Sequence, residues 1–230
     1  MDTKLIIANA VYFKSFWSNQ FKPENTKNEK FYVSPEEVHD VRMMNIPTVQ
    51  ILYGISENLQ ATAVEIPYSN PEFSMIIVLP EPSRTLDSLV RDITPDSLQE
   101  LFNNLMDDDV NLKIPKFKFE QEFELAGMLY GLGLTKIFDP RYVNLTQIFT
   151  DNEINSRIVL DSVIHKTFIE VNEEGTEAAA ATAMLFARSG RPAFPTEFFA
   201  NRPFMYFIRE NSSNMILFAG TVRRPFLNSQ

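Results

Sequence analysis

The chain has 230 residues, 44% of them hydrophobic, and a formal net charge of −9 at pH 7. Length and apolar content supply a core for one large domain or two small ones, and 20 Phe against seven Gly fit a packed, β-rich or mixed chain rather than a disordered one. No Lys/Arg cluster offers nucleic acid a footprint, no apolar run approaches the ~20 residues of a membrane-spanning helix, and the lack of cysteine removes disulfide and thiol chemistry.

The first four residues, Met-Asp-Thr-Lys, carry no mark of a signal peptide. Residues 4–13 then read as a nearly continuous apolar strand, interrupted by Asn9, of the kind buried on both faces. Trp17, the single tryptophan, reads as a core aromatic. Residues 22–40 are polar and mixed in charge, an exposed strand or loop. Val49 to Ile55, Ala61 to Tyr68 and Phe73 to Pro80 are strand candidates in a meander. Leu86, Leu89, Val90, Ile93, Leu98, Leu101, Phe102 and Leu105 switch to helical spacing, and Thr94-Pro95 divides them into two short helices.

Asp107 to Asp109 reads as a solvated turn. Val110 to Phe119 alternates like one strand, with Pro115 marking an edge or bend. In it, Lys116-Phe117-Lys118 fits the wet face of the strand. Phe123 to Leu132 reads as a helix closed by Gly131 and Gly133. Residues 157–171 form the next strand, with His165 on an apolar face as a buried, hydrogen-bonded histidine. Residues 202–209 and 215–222 read as an antiparallel hairpin. Asn144-Leu-Thr146 and Asn211-Ser-Ser213 are glycosylation triplets that matter only in an exported chain. They tilt the expected compartment to the extracellular side, with a cytoplasmic location the alternative.

Residues 171–191 admit two readings. Thr176 as an N-cap followed by alanines is a helix signal. Taken by twos, Thr176, Ala178, Ala180, Thr182, Met184 and Phe186 make one face of a strand, small and then apolar. Glu177, Ala179, Ala181 and Ala183 fall on the other face.

Glu173-Glu174-Gly175-Thr176-Glu177-Ala178-Ala179-Ala180 resembles the reactive-loop hinge of the serpins, the serine-protease inhibitors. The resemblance runs from about Lys4 to Phe226 and includes the Asn201-Arg-Pro-Phe204 entry to the last hairpin. It implies an α+β fold with a large mixed sheet, smaller antiparallel sheets and short helices, in a single domain over 1–230 with a loop at about 173–195. It covers the later part of a serpin, so the chain is expected to be a fragment, a product paired with a second chain, or a reduced serpin. The missing N-terminal portion would leave the Leu5 strand with an unpaired apolar edge.

By the same resemblance the loop hinge is Glu173 to Ala181, and the sheet opens around Asn9, His165, Trp17 and Lys116. Lys116 would meet Glu173, and His165 would meet Asn9. The bait bond lies at Arg188-Ser189 or Ser189-Gly190. Family spacing favours Ser189-Gly190 and an elastase-like protease. Chemistry favours the Arg188 cation and a trypsin-like protease, and Arg188-Ser189 is preferred. Arg191 is followed by Pro192, which hinders cleavage. Only two histidines, His39 and His165, are present, with no nucleophile elbow, metal motif or phosphate loop. Ser189 with His165 lacks oriented partners, so enzyme activity, a cofactor and a metal are not expected. The serpin resemblance implies instead that the chain inhibits a serine protease. The alternative is a non-inhibitory serpin-like binding or scaffold module.

Overall fold

The computed structural model describes residues 5–145, 148, 158–176 and 194–226. The first strands are β1 (Ile6–Tyr12), β2 (Ser15–Phe16), β3 (Lys27–Tyr32), β4 (Val38–Ser56), β5 (Ala61–Pro67) and β6 (Phe73–Pro80). Helices α1 (Leu86–Asp92) and α2 (Pro95–Asn103) follow, then β7 (Met106–Pro115), β8 (Phe117–Glu124) and helix α3 (Ala126–Gly131). The chain continues with β9 (Ser162–Val171), β10 (Gly175–Thr176), β11 (Thr196–Phe199), β12 (Phe204–Glu210) and β13 (Met215–Val222). Two compact units result, one from Met1–Phe13 and Phe119–Ile169, the other from Lys14–Lys118 and Glu170–Gln230.

In the first unit β1 pairs in parallel with β9, from Ile6↔Ser162 through Tyr12↔Phe168, in the sheet order β1-β9-β8. Burial on both faces of β1 is not what the structure shows. Ile6 is 50% exposed and Ile7 46%, because no described residue covers this edge strand. His165 is only half-buried. The helix expected over 123–132 is shorter, since β8 takes Phe123 and Glu124. The Glu124 carboxylate then accepts the Ala126 N–H at 3.0 Å, the Val163 N–H at 2.9 Å and the Ser162 hydroxyl. Those bonds, Ser162 foremost, lower its pKa against a small opposing burial effect. Gly133, at φ +96°, closes the helix with its N–H on Tyr130 O.

The second unit carries an eight-stranded sheet in the order β11-β7-β4-β5-β6-β12-β13, with β3 also on β4. The β11–β7 pair is parallel and the others antiparallel. Ala61 and Ala63, both fully buried, keep one face of β5 low. Leu86 and Leu89 of α1 and Leu101 and Phe102 of α2 pack there against Ile76, Val78 and Phe207. Phe102 meets Phe207 edge-on at 5.8 Å. Both helices are capped by threonine. Thr85 accepts from Ser88 N–H, and Thr94 with Ser97 closes a reciprocal capping box before Pro95. Asn211, in the β12–β13 turn, donates to Pro71 O at 2.9 Å and accepts from buried Ser74 at 2.8 Å.

Three sequence expectations change here. The strand read over Val49 to Ile55 is part of a 19-residue strand over 38–56, which passes Pro47 with a register shift between Ile46 and Val49. Asp107 to Asp109 lie inside β7, opposite Leu52, Ile51 and Gln50, with Asp108 accepting from Thr196 at 2.7 Å. The strand read over 110–119 is two strands, because Pro115 offers no N–H to the ladder and Lys116 N–H turns to Arg42 O. Strand β11 was not legible at all.

Candidate functional site

Val171 is the last residue of β9, and Asn172 turns the chain. Its side-chain oxygen accepts from Glu174 N–H at 3.1 Å and Gly175 N–H at 3.2 Å, while its own N–H donates to Gly175 O at 3.0 Å. These bonds form an Asx turn. Beyond it β10 lies antiparallel to β2, Gly175 opposite Phe16 and Thr176 opposite Ser15. Gly175 has φ +148°, and a Cβ there would stand 2.3 Å from Ser15 O and 2.5 Å from Phe16 Cα. Glycine is required on both counts.

Two anchors hold the turn. The Trp17 N–H donates to Glu174 O at 2.9 Å, its indole N–H to Asn172 O at 3.0 Å, and Phe21 N–H to Glu173 O at 2.8 Å. Trp17 is itself buried, stacked on Tyr68 at 4.6 Å and met edge-on by Phe21 at 6.5 Å. The second anchor is the Glu173 carboxylate. Lys116 Nζ stands 2.7 Å from Oε2, and the Thr26 hydroxyl donates to Oε1 at 2.9 Å. Burial pushes the Glu173 pKa up, but Lys116, its own backbone N–H and Thr26 outweigh that and leave it below the ordinary carboxylate value. Glu174 keeps one buried carboxylate oxygen without a partner among the described residues.

The structure thus brings Lys116, Trp17, Glu173, Glu174 and Gly175 together, with the backbone of Thr176. Asn9 and His165 form a second cluster in the other unit. They are direct partners in the β1–β9 register, with Asn9 Nδ2 3.4 Å from His165 Nδ1 and the Phe123 ring 6.5 Å from the imidazole. Glu177, Ala178, Ala179, Ala180 and Ala181, and the bait residues Arg188, Ser189 and Gly190, lie outside the described residues. Sequence reasoning missed Asn172, Thr26, Phe21 and Tyr68. Asn172 had a signal, an Asn three residues before a Gly at a strand end. Thr26 had none.

A family profile described as "Serpin (serine protease inhibitor)" matches residues 1–225. The chain belongs to the serpin family. Among curated serpins it is 37% identical to human Serpin B4 over 97% of this chain, and 39% identical to Iris of the tick Ixodes ricinus over 96%. It spans 56% and 58% of those two proteins, just over half of their length. Solved serpins share the fold. The serpin of the trematode Schistosoma haematobium superposes with TM-score 0.82 at 28% identity, and Serpin48 of the insect Tenebrio molitor with 0.80 at 31%. The matches cover 97% and 96% of this chain, and 58% and 56% of those serpins. Serpins are non-enzymatic inhibitors that typically bind serine proteases.

Proposed function

We propose that this serpin chain inhibits a trypsin-like serine protease by conformational trapping. The protease serine attacks the Arg188 carbonyl and the Arg188-Ser189 bond breaks. The acyl-enzyme then stays on Arg188 while residues 176–186 enter the sheet between β1 and β9. The Asn172–Gly175 turn at the end of β9 supports a direction of entry: a strand that entered through it would run antiparallel to β9. β1 is parallel to β9, so the entering strand is antiparallel to both. Opening the β1–β9 ladder gives up one set of hydrogen bonds and insertion makes two. The net gain is about ten bonds at ~1 kcal/mol each, on the order of 10 kcal/mol. A protease attached to the loop can be moved by that free energy if the uncleaved state is kinetically trapped.

The observation that carries this reading is the hinge turn itself. A glycine that no other residue can replace sits where the chain must reverse, followed by side chains small enough to enter a packed sheet. Incubation with trypsin, with an elastase as comparison, tests it. An SDS-stable complex is expected for the wild type, while Thr176→Arg is cleaved without trapping because an inserted, unpaired charge is costly. Equal complex formation by Thr176→Arg sinks the insertion mechanism. Mass spectrometry of the released peptide locates the bond, and cleavage only after Ser189 moves the target to an elastase-like enzyme. The exposed β1 favours a second reading, a non-inhibitory binding module, for which no SDS-stable complex forms with any protease.

A further inference from the structure

A cleft of about 680 Å³ opens in the second unit beside the end of β3, the approach to α1, the entry to β12 and the end of β13. Tyr32, Pro80, Pro82, Leu86 and Pro203 give it apolar walls, three of them rigid proline rings. Four arginines, Arg84, Arg202, Arg223 and Arg224, also line it. Three of the four are already neutralised. Arg84 lies 2.5 Å from Asp92 and Arg223 2.7 Å from Asp87, and Arg224 grips Glu37 with two bonds of 2.9 and 2.7 Å.

Arg202 differs from these three. Its Nε–H donates to Pro80 O at 2.9 Å and its Nη1 reaches Asn201 Oδ1 at 3.4 Å, both neutral acceptors. Among the described residues no carboxylate comes within ion-pair distance of it. Burial pushes its pKa down, and the field of Glu81 only partly opposes that. A half-buried guanidinium with no ion pair among the described residues, pinned at one edge and facing an apolar cleft, is complementary to an anion with an apolar body. Glu81 nearby disfavours a dianion, so the match is to a single negative charge.

We propose that this cleft binds a small amphipathic carboxylate of the fatty-acid class, its carboxylate on Arg202 and its chain against the proline and Leu86 walls. The pinned arginine and the proline rings are in place before the ligand arrives, so little ordering entropy opposes binding. Neither the hinge turn nor the β1–β9 pair contributes a residue, so this site and inhibition can fail separately.

Isothermal titration of the 230-residue chain with decanoate, and with decanol as the neutral comparison, tests the assignment. Decanoate is expected to bind saturably at one site, and decanol at least about tenfold more weakly. Arg202→Gln should weaken decanoate about ten- to hundredfold and leave decanol unchanged. Arg202→Gln also gives up a bond to Pro80 O and can lose stability on that account. Val33→Trp, which fills the cleft from another wall and leaves the arginine bonds alone, should abolish decanoate binding in a protein with wild-type circular dichroism. Equal binding of decanol and decanoate overturns the assignment, as does wild-type affinity in Val33→Trp or the absence of saturable heat.

Discussion

A methyl group at position 175 has nowhere to go, since backbone atoms of Ser15 and Phe16 stand within 2.5 Å of where it would lie. Gly175→Ala must break the β10–β2 pair or strain the turn, at about 1–3 kcal/mol. A lowered urea midpoint at unchanged slope is the expected result, and an unchanged midpoint would mean the turn relaxes freely. Glu173 is testable by pH. Its folded pKa lies below the ordinary value of 4.5, so its contribution is present above that value and lost as pH falls through the lower folded value. Urea melts of wild type and Glu173→Gln should therefore differ most at pH 7 and converge as the pH falls through the lowered folded value. A gap that stays constant with pH would assign the loss to packing. Glu173 was legible from its motif. Thr26, which bonds the same carboxylate, was not, because 147 positions separate the two and nothing in the local pattern links them.

Among the elements, those with a strong period and clear stops were legible. β6 and β13 begin and end where alternation or turn residues place them, and α1 and α2 flank Thr94-Pro95 as read. What failed had tertiary causes. Asp107 to Asp109 form a strand because β4 supplies a ladder opposite them, and Pro47 is tolerated because the register shifts around it. The β12–β13 turn carries its own prediction. Ser74 is fully buried, and its hydroxyl donates to the Asn211 side chain. Asn211→Ala leaves that hydroxyl without its acceptor and should cost about 1–3 kcal/mol. The loss is measured by chemical denaturation, and a change within about 0.5 kcal/mol would show that water replaces the amide.

On the scale of the whole molecule, the family and fold class were legible because the hinge motif is long and the strands that follow it are regular. The exposure of β1 was legible only through the family resemblance, which left the Leu5 strand an unpaired apolar edge; the apolar run by itself reads as buried. Ile6, Ile7 and Tyr12 form an exposed apolar edge, and among the described residues no strand pairs with β1 on its other side. Ile7→Lys should reduce concentration-dependent association of the chain in sedimentation velocity. Association unchanged by that charge would place the sticky surface elsewhere. Cleavage at the bait bond should raise the melting temperature markedly if residues 176–186 add a strand, and leave it unchanged if they do not.

The side chain that braces the last hairpin is also the acceptor of a glycosylation triplet, Asn211-Ser-Ser213. Its amide nitrogen, the atom a glycan would take, already donates to Pro71 O. In a cell that exports the chain, a sugar there would replace one of the two N–H bonds of that nitrogen and leave the other to hold Pro71 O. The hairpin brace and a glycan can then share the residue only if the sugar takes the hydrogen that faces away from Pro71, a geometric demand that occupancy at Asn211 in an exported chain would test.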